Sequence, residues 1–208
     1  MAGLRERNKA RTRSDISAAA IALFLERGYD RVSVADVAEA AEVSKRTLFA
    51  YFPTKDDLVL HRFADHEDEP ARVVRGRPAG VAPLAALHEY LRAGLDDRDP
   101  ITGLCDRPEV VRFYRLVIGT PALSAAVVRY QARGEDALAA ALQDAVPSGS
   151  ALTARLAAGQ ILVTLRTLAH ANQTRIAAGG DAASLAASAR AEADDAFALL
   201  HGGLAPYR

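Results

Sequence analysis

Between Val32 and Lys55 the sequence VSVADVAEAAEVSKRTLFAYFPTK starts three helices in quick succession, and no other stretch limits the fold so tightly. Ser33 stands three residues before Asp36, Ser44 before Thr47, and Thr54 before Asp57. A hydroxyl at a helix N-cap accepts one of the orphan backbone N–H groups, and a carboxylate three residues on accepts from the cap's own N–H. The Ser44–Thr47 pair lacks that carboxylate and is a cap without the full box. Apolar residues flank each start: Val32 with Val37, Val43 with Leu48, and Pro53 with Leu58. Such pairs staple the entering chain to the first turn.

Helices begun this close together must be short and must cross at a fixed angle. Ala35, Val37, Ala38 and Ala41 give the first an inner face, and Leu48, Phe49 and Phe52 are expected to do so for the second. Ser44, Lys45, Arg46 and Thr47 are left outward at the start of the second helix. A braced helix whose first turn carries small polar and basic groups suits a DNA major groove.

The stretch VSVADVAEAAEVSKRTLFAYFPTKDDL resembles the DNA-binding domain of the TetR family of bacterial transcriptional regulators. The likeness reaches back through Ile16, Ala19, Ala20, Leu23, Phe24, Gly28 and Tyr29. It departs at the corner, where such motifs usually hold glycine and this chain has Glu42. A non-glycine residue in a left-handed conformation costs on the order of 1 kcal/mol, within what packing can absorb. The resemblance implies that Ser44, Lys45, Arg46 and Thr47 enter the major groove, with Lys45 or Arg46 reading guanine edges. It also implies that Ser33, Tyr51, Lys55 and the N-terminal basic arm hold phosphates. That arm carries Arg5, Arg7, Lys9, Arg11 and Arg13 against Glu6 alone, and Arg5 and Arg13 are taken as its DNA-contacting members.

The 26 basic and 26 acidic side chains cancel across the whole chain, so local distribution, not net charge, must carry any nucleic-acid affinity. A single cysteine, Cys105, excludes an internal disulfide and a cysteine metal cage. The N-terminus lacks the apolar core of a signal peptide. The most apolar run, 161–171, is broken by Arg166 and His170 and is too short to span a bilayer. A soluble, cytoplasmic protein without cofactor is expected.

Taken in order, residues 1–8 read as disordered and Lys9–Arg27 as a helix stopped by Gly28. A fourth helix is expected from Lys55 to about Glu69, ended by Pro70, and residues 70–82 read as a loop. Helical patterns follow over 83–97, from Pro108, over 122–146, over 151–178, and from Asp181 to about His201. No alternating strand pattern intervenes. The fold class is all-α, about nine helices, with a DNA-binding domain over 1–54 and a larger ligand-binding and dimerisation domain over 55–208.

The last two helices carry more apolar and small surface than one core needs. Leu152, Leu156, Gly159 and Val163 mark one stripe of the penultimate helix, and Leu162, Leu165, Leu168 and Ala169 another. The resemblance implies that these helices pair with their copies in a homodimer, through Leu152, Leu156, Val163, Ala187, Phe197 and Leu200. It also implies a small-molecule effector, for which His88, Phe113, Tyr130, Arg166 and His170 are the polar and aromatic candidates among apolar stretches. Arg166 and His170, one turn apart, suit an anionic ligand.

Three functional classes remain. The leading one is a homodimeric repressor released from a palindromic operator by a small molecule. The second is a helical protein–protein adaptor that retains the fold without binding DNA. The third is a helical metalloenzyme resting on His61 and Asp65, for which no third ligand is evident. No nucleophile elbow or glycine-rich phosphate loop supports an enzyme.

Overall fold

The computed structural model describes residues 3–64, 66, 68–204 and 207, with the side chains of residues 4, 5, 63 and 64 left aside. Among the described residues the chain is all helical: ten α-helices and two 3-10 turns, without strands. It divides into two compact units. One comprises residues 1–64 and 112–128, the other residues 65–111 and 129–208.

The first unit begins with α1 (Leu4–Arg27), which opens five residues before the expected start. Arg and Glu, which follow Leu4 in the first turn, have helix propensities adequate to carry it. Gly28, at φ 87°, ends α1 with its N–H bonded to the carbonyl of Phe24 at 2.9 Å. A 3-10 turn (Tyr29–Arg31) leads to α2 (Val34–Ala40) and α3 (Lys45–Tyr51), and α4 (Asp57–Ala64) follows. Helix α1 packs on α2 and α4, and α2 on α3. Ile16, Ala20, Phe24, Val37, Leu48, Phe52 and Leu58 fill the core between them, joined by Val117 and Leu123. Ser17, buried on α1, donates its hydroxyl to the Leu58 carbonyl at 2.7 Å and fixes α1 against α4.

In the second unit, α5 (Glu69–Gly76) occupies the stretch read as a loop. Pro70 does not end a helix there; it lies in the first turn of a new one. The first turn has no intrahelical partner for its N–H groups, so a missing donor costs nothing. Ala71 and Val74 are buried on α5, and the Pro, Gly and Arg residues around them hide that short apolar spacing from a window-based reading. Helices α6 (Pro83–Asp96), α9 (Ala151–Ala177) and α10 (Ala182–Gly203) form the centre, with α6 and α9 both packed on α10. Helices α7 (Pro108–Gly119) and α8 (Pro121–Ala145) are divided between the two units.

The α6 to α7 connection turns back through Gly103, at φ 74°. A Cβ at that position would run into the carbonyl of Ala169 on α9, so only glycine fits. Beside it the buried Asn172 donates its amide to the Thr102 carbonyl at 2.9 Å. No single helix among the described residues is long and apolar enough to cross a membrane.

Candidate nucleic-acid interface

Each of the three closely spaced helix starts has the cap its residues specify. The Ser33 hydroxyl accepts from the Asp36 N–H at 3.2 Å, and the Asp36 carboxylate accepts from the Ser33 N–H at 2.7 Å. Those bonds from Ser33 hold the Asp36 carboxyl below its usual range. Thr54 and Asp57 make the same reciprocal pair at 3.2 and 3.0 Å. Ser44 accepts from the Thr47 N–H at 3.0 Å, and the two hydroxyls lie 2.8 Å apart. Val32 and Val37 are both buried, as are Leu48 and Leu58, while Pro53 remains exposed.

The corner between α2 and α3 is a complete Schellman closure. Glu42 takes the left-handed conformation at φ 54°. Its N–H bonds to the Glu39 carbonyl at 3.0 Å, and the Val43 N–H to the Ala38 carbonyl at 2.9 Å. Val43 then packs against the core, which ties the corner down and offsets the cost of a side chain in this conformation.

With the corner and cap fixed, α3 has one azimuth available. It buries Leu48, and Phe52 just beyond its end is buried as well. Phe49 does not share that face, contrary to the expected inner position: it is 49% exposed. Adjacent helical residues point roughly 100° apart, so a narrow buried stripe holding Leu48 turns its neighbour away. The exposed face of α3 comprises Lys45, Arg46, Phe49 and Ala50, with Ser44 exposed at its start and Thr47 half-buried. Neither Lys45 nor Arg46 enters an ion pair among the described residues.

The remaining DNA candidates are more occupied. Lys55 donates its ammonium to the Tyr29 carbonyl at 2.5 Å and lies 4.1 Å from the centre of the Tyr29 ring. The Tyr29 hydroxyl donates to Asp56; burial, then this bond, pushes the phenol above its usual range. Lys55 and Asp56 thus lash the start of α4 to the 3-10 turn after α1. Arg13 lies over the Phe52 ring at 5.3 Å and leaves its Nε buried without a hydrogen-bond partner. Tyr51 is half-buried against the core, Ser33 is exposed, and Arg5 lies on α1 with its side chain outside the described set.

The effector candidates separate. Phe113 packs with the core of the first unit, whereas His88, Tyr130, Arg166 and His170 belong to the second. His88 stacks on Phe197 at 4.6 Å and meets the Asp194 carboxylate at 2.7 Å, where Arg92 also donates at 3.0 Å. That cluster joins α6 to α10. Tyr130 lies under the Arg133 guanidinium at 4.4 Å. Arg166 is half-buried and His170 exposed on α9. Asp65 lies outside the described residues, and His61 meets the Phe52 ring edge-on at 5.7 Å. Cys105 is buried and accepts from Arg107 at 3.3 Å.

Of the interface candidates, Leu152, Leu156 and Val163 are exposed by 66%, 58% and 53% on α9, and Ala187 is exposed on α10. Phe197 and Leu200 are corrected: both are buried within the chain's own core with Ala189 and Ala193. Leu199, one of the two residues between them, points the other way and is 80% exposed. Composition could show that α10 was apolar on two sides, but not which large residue lay on which.

Residues 16–61 match the family profile described as bacterial regulatory proteins, tetR family. The HTH-type transcriptional regulator TcmR of Streptomyces glaucescens is 36% identical over 138 residues, 66% of this chain and 61% of TcmR. A putative mycofactocin biosynthesis transcriptional regulator, MftR of Mycobacterium tuberculosis, is 31% identical over 122 residues, 57% of this chain and 58% of that protein. The matched stretch therefore spans about three-fifths of either relative's length. The crystal structure of a putative TetR-family transcriptional regulator from Mesorhizobium loti shares the fold, with a TM-score of 0.59 at 21% identity, over 93% of this chain and 96% of that one. The helix-turn-helix residues that carried the resemblance fall within the matched profile, and over residues 16–61 the chain carries the helix-turn-helix of the tetR family of bacterial regulatory proteins.

Proposed function

We propose that this protein is a DNA-binding transcriptional regulator, acting as a homodimeric repressor that a small molecule releases from a palindromic operator. The observation that carries the reading is the exposed face of α3. Two cations that form no ion pair among the described residues stand on a short helix whose start, corner and buried side are each fixed by capping or packing. A preorganised cationic helix face loses little freedom on entering a major groove. Ser33, Tyr51, Lys55, Arg5 and Arg13 are its phosphate-contacting partners, and residues 1–54 and 55–208 its two functional domains. Such a partner places the protein in the cytoplasm.

The dimer reading draws support from Leu152, Leu156 and Val163, spaced four and seven residues apart on one face of α9 and left in water. Ala187 and Leu199 are further exposed apolar residues, on α10. A twofold pair reads a palindrome with recognition helices ~34–36 Å apart. An effector held by the second unit, with Arg166 and His170 as polar contacts, lowers DNA affinity only by binding a differently spaced conformation more tightly. Tenfold release needs about 1.4 kcal/mol of such coupling.

The test is selection of duplexes by the full chain from a random pool, followed by titration over a range of salt. Enrichment of a twofold-symmetric sequence with a steep salt dependence supports the reading. Binding that ignores salt and all duplexes, with capture of a protein partner alone, would replace it by the adaptor. A monomer in sedimentation at micromolar concentration would remove the α9–α10 interface.

A further inference from the structure

We infer that pairing of two copies of this chain is proton-sensitive: His170 lies in the face of α9 that meets the second copy, and its protonation drives the copies apart. The inference rests on the homodimer proposed above and names what regulates it. It places His170, named there as an effector contact, on the same face as the interface leucines. At about 100° per residue, five turns of α9 bring His170 back to the azimuth of Leu152, with Leu156 and Val163 within roughly 40° of both. All four side chains are exposed. Arg166, one turn before His170 and roughly 40° to one side of that line, is half-buried.

Neither the His170 imidazole nor the Arg166 guanidinium enters an ion pair among the described residues. The charged groups of the elements packed around α9 are engaged elsewhere. On α10, Glu192 is held by Arg175, Asp194 by His88 and Arg92, and Arg190 by Asp96, while His201 lies 3.3 Å from the Phe197 carbonyl. On α8, Glu135 and Asp136 face Arg155, and before the second 3-10 turn Asp99 accepts from the Ile101 N–H. Asp195 is exposed on α10. The charge one turn from His170 on its own face is therefore Arg166, of the same sign as a protonated ring. In the separate chain water solvates that ring in either form. Pairing removes the water: a neutral imidazole is covered at little cost, whereas a charged one loses its solvation beside a like charge. A twofold interface takes in this residue from both copies, which doubles the effect. Histidine changes charge between pH 5 and 8. The dimer thus holds at the upper end of that range and weakens as pH falls, because the separate chain binds the proton more readily than the pair does.

The experiment measures the dimer dissociation constant of the full chain by sedimentation equilibrium from about pH 8 down to about pH 6, without DNA or effector. The expected result for the wild type is a Kd that rises about tenfold over that interval, two protons being taken up for each dimer that separates. His170→Gln keeps a neutral polar side chain at every pH, and its Kd should stay at the wild-type value of the upper end throughout. His170→Arg fixes the charge, and its dimer should be weak at both ends. The other four histidines remain in both variants, so a pH dependence that survives in His170→Gln overturns the proposal by assigning the effect to another group. A wild-type Kd that is level across the interval overturns it as well, as does a His170→Arg dimer as tight as the wild type at about pH 8. A wild type that is monomeric at every pH overturns the homodimer itself, an outcome distinct from a dimer that ignores protons.

Discussion

The cations of α3 and those of α6, α9 and α10 have opposite surroundings. Lys45 and Arg46 stand in water on a seven-residue helix with no ion pair among the described residues. Arg92 reaches Asp194 at 3.0 Å, Arg155 reaches Asp136 at 2.8 Å, and Arg175 grips both oxygens of Glu192 at 2.6 and 2.8 Å. Arg190 is paired with Asp96. The paired arginines fasten helices within the second unit, and the resulting bonds hold the Glu192 carboxyl below its usual range. The cations of α3 fasten nothing. A side chain held ready at the surface, on a helix secured by other means, is suited to an anion from outside. If this division is sound, mutations in the two regions must fail in different assays.

The largest expected effect belongs to the fastened region. Gly103→Ala places a Cβ against the Ala169 carbonyl in a backbone conformation that side chains rarely adopt. Strain and overpacking together should lower stability by about 3 kcal/mol, read by urea denaturation. A loss within ~0.5 kcal/mol of zero would mean that the loop and α9 separate at little cost. Arg46→Ala should do the reverse. It leaves unfolding within ~0.5 kcal/mol of wild type but weakens the selected duplex by about 1–3 kcal/mol and relaxes preference at one position. Arg175→Met is the counterpart: duplex affinity unchanged, with a small drop in the urea midpoint because the pair is partly solvated. Exchanged outcomes for Arg46 and Arg175 would break the comparison.

How much of this was legible in the sequence follows the range of the forces involved. The three caps, the staples of Val32 and Val43, the stop at Gly28 and the corner at Glu42 were readable because each depends on residues within about five positions. Phe49 and Phe197 were not. Each stands on a helix with apolar neighbours on either side, and the choice of which faces inward is made by packing partners distant in the chain. Helix α5 was missed for another reason: proline starts a helix as readily as it ends one, and its register depends on where the buried Ala71 and Val74 find contacts. For Lys55, the resemblance implied an outward phosphate contact and could not reveal its bond to the Tyr29 carbonyl.

Lys55 therefore tests the boundary between the two classes, since it is tied inward yet only half-buried. Lys55→Met keeps an unbranched apolar chain and removes the ammonium that lies over the Phe24 and Tyr29 rings. If the ammonium also meets a phosphate, the slope of log affinity against log salt falls by about one, evenly across sequences. Stability should drop by about 1.5 kcal/mol, the low end for a hydrogen bond to a charged group. Loss of stability with an unchanged salt slope would assign Lys55 wholly to the fastened class.

The smallest effect comes from two corners that look alike and stand in different units. Glu42 closes α2 at φ 54°, and Arg98 closes α6 at φ 52° with its N–H on the Leu95 carbonyl at 3.3 Å. Both are side chains where glycine fits best, so Glu42→Gly and Arg98→Gly should each raise stability, by about 0.5–1 kcal/mol after glycine's greater unfolded freedom is subtracted from the relieved strain. Their effects on DNA must part. Glu42→Gly also deletes a negative charge at the corner before the reading helix, so affinity should rise at low salt and the gain should fade as salt screens it. Arg98→Gly alters no group on that face and should leave affinity unchanged at every salt concentration. An equal response to the two substitutions in the binding titration would show that charge at the α2–α3 corner does not reach the bound phosphates, and would leave the α3 face to act through direct contact alone.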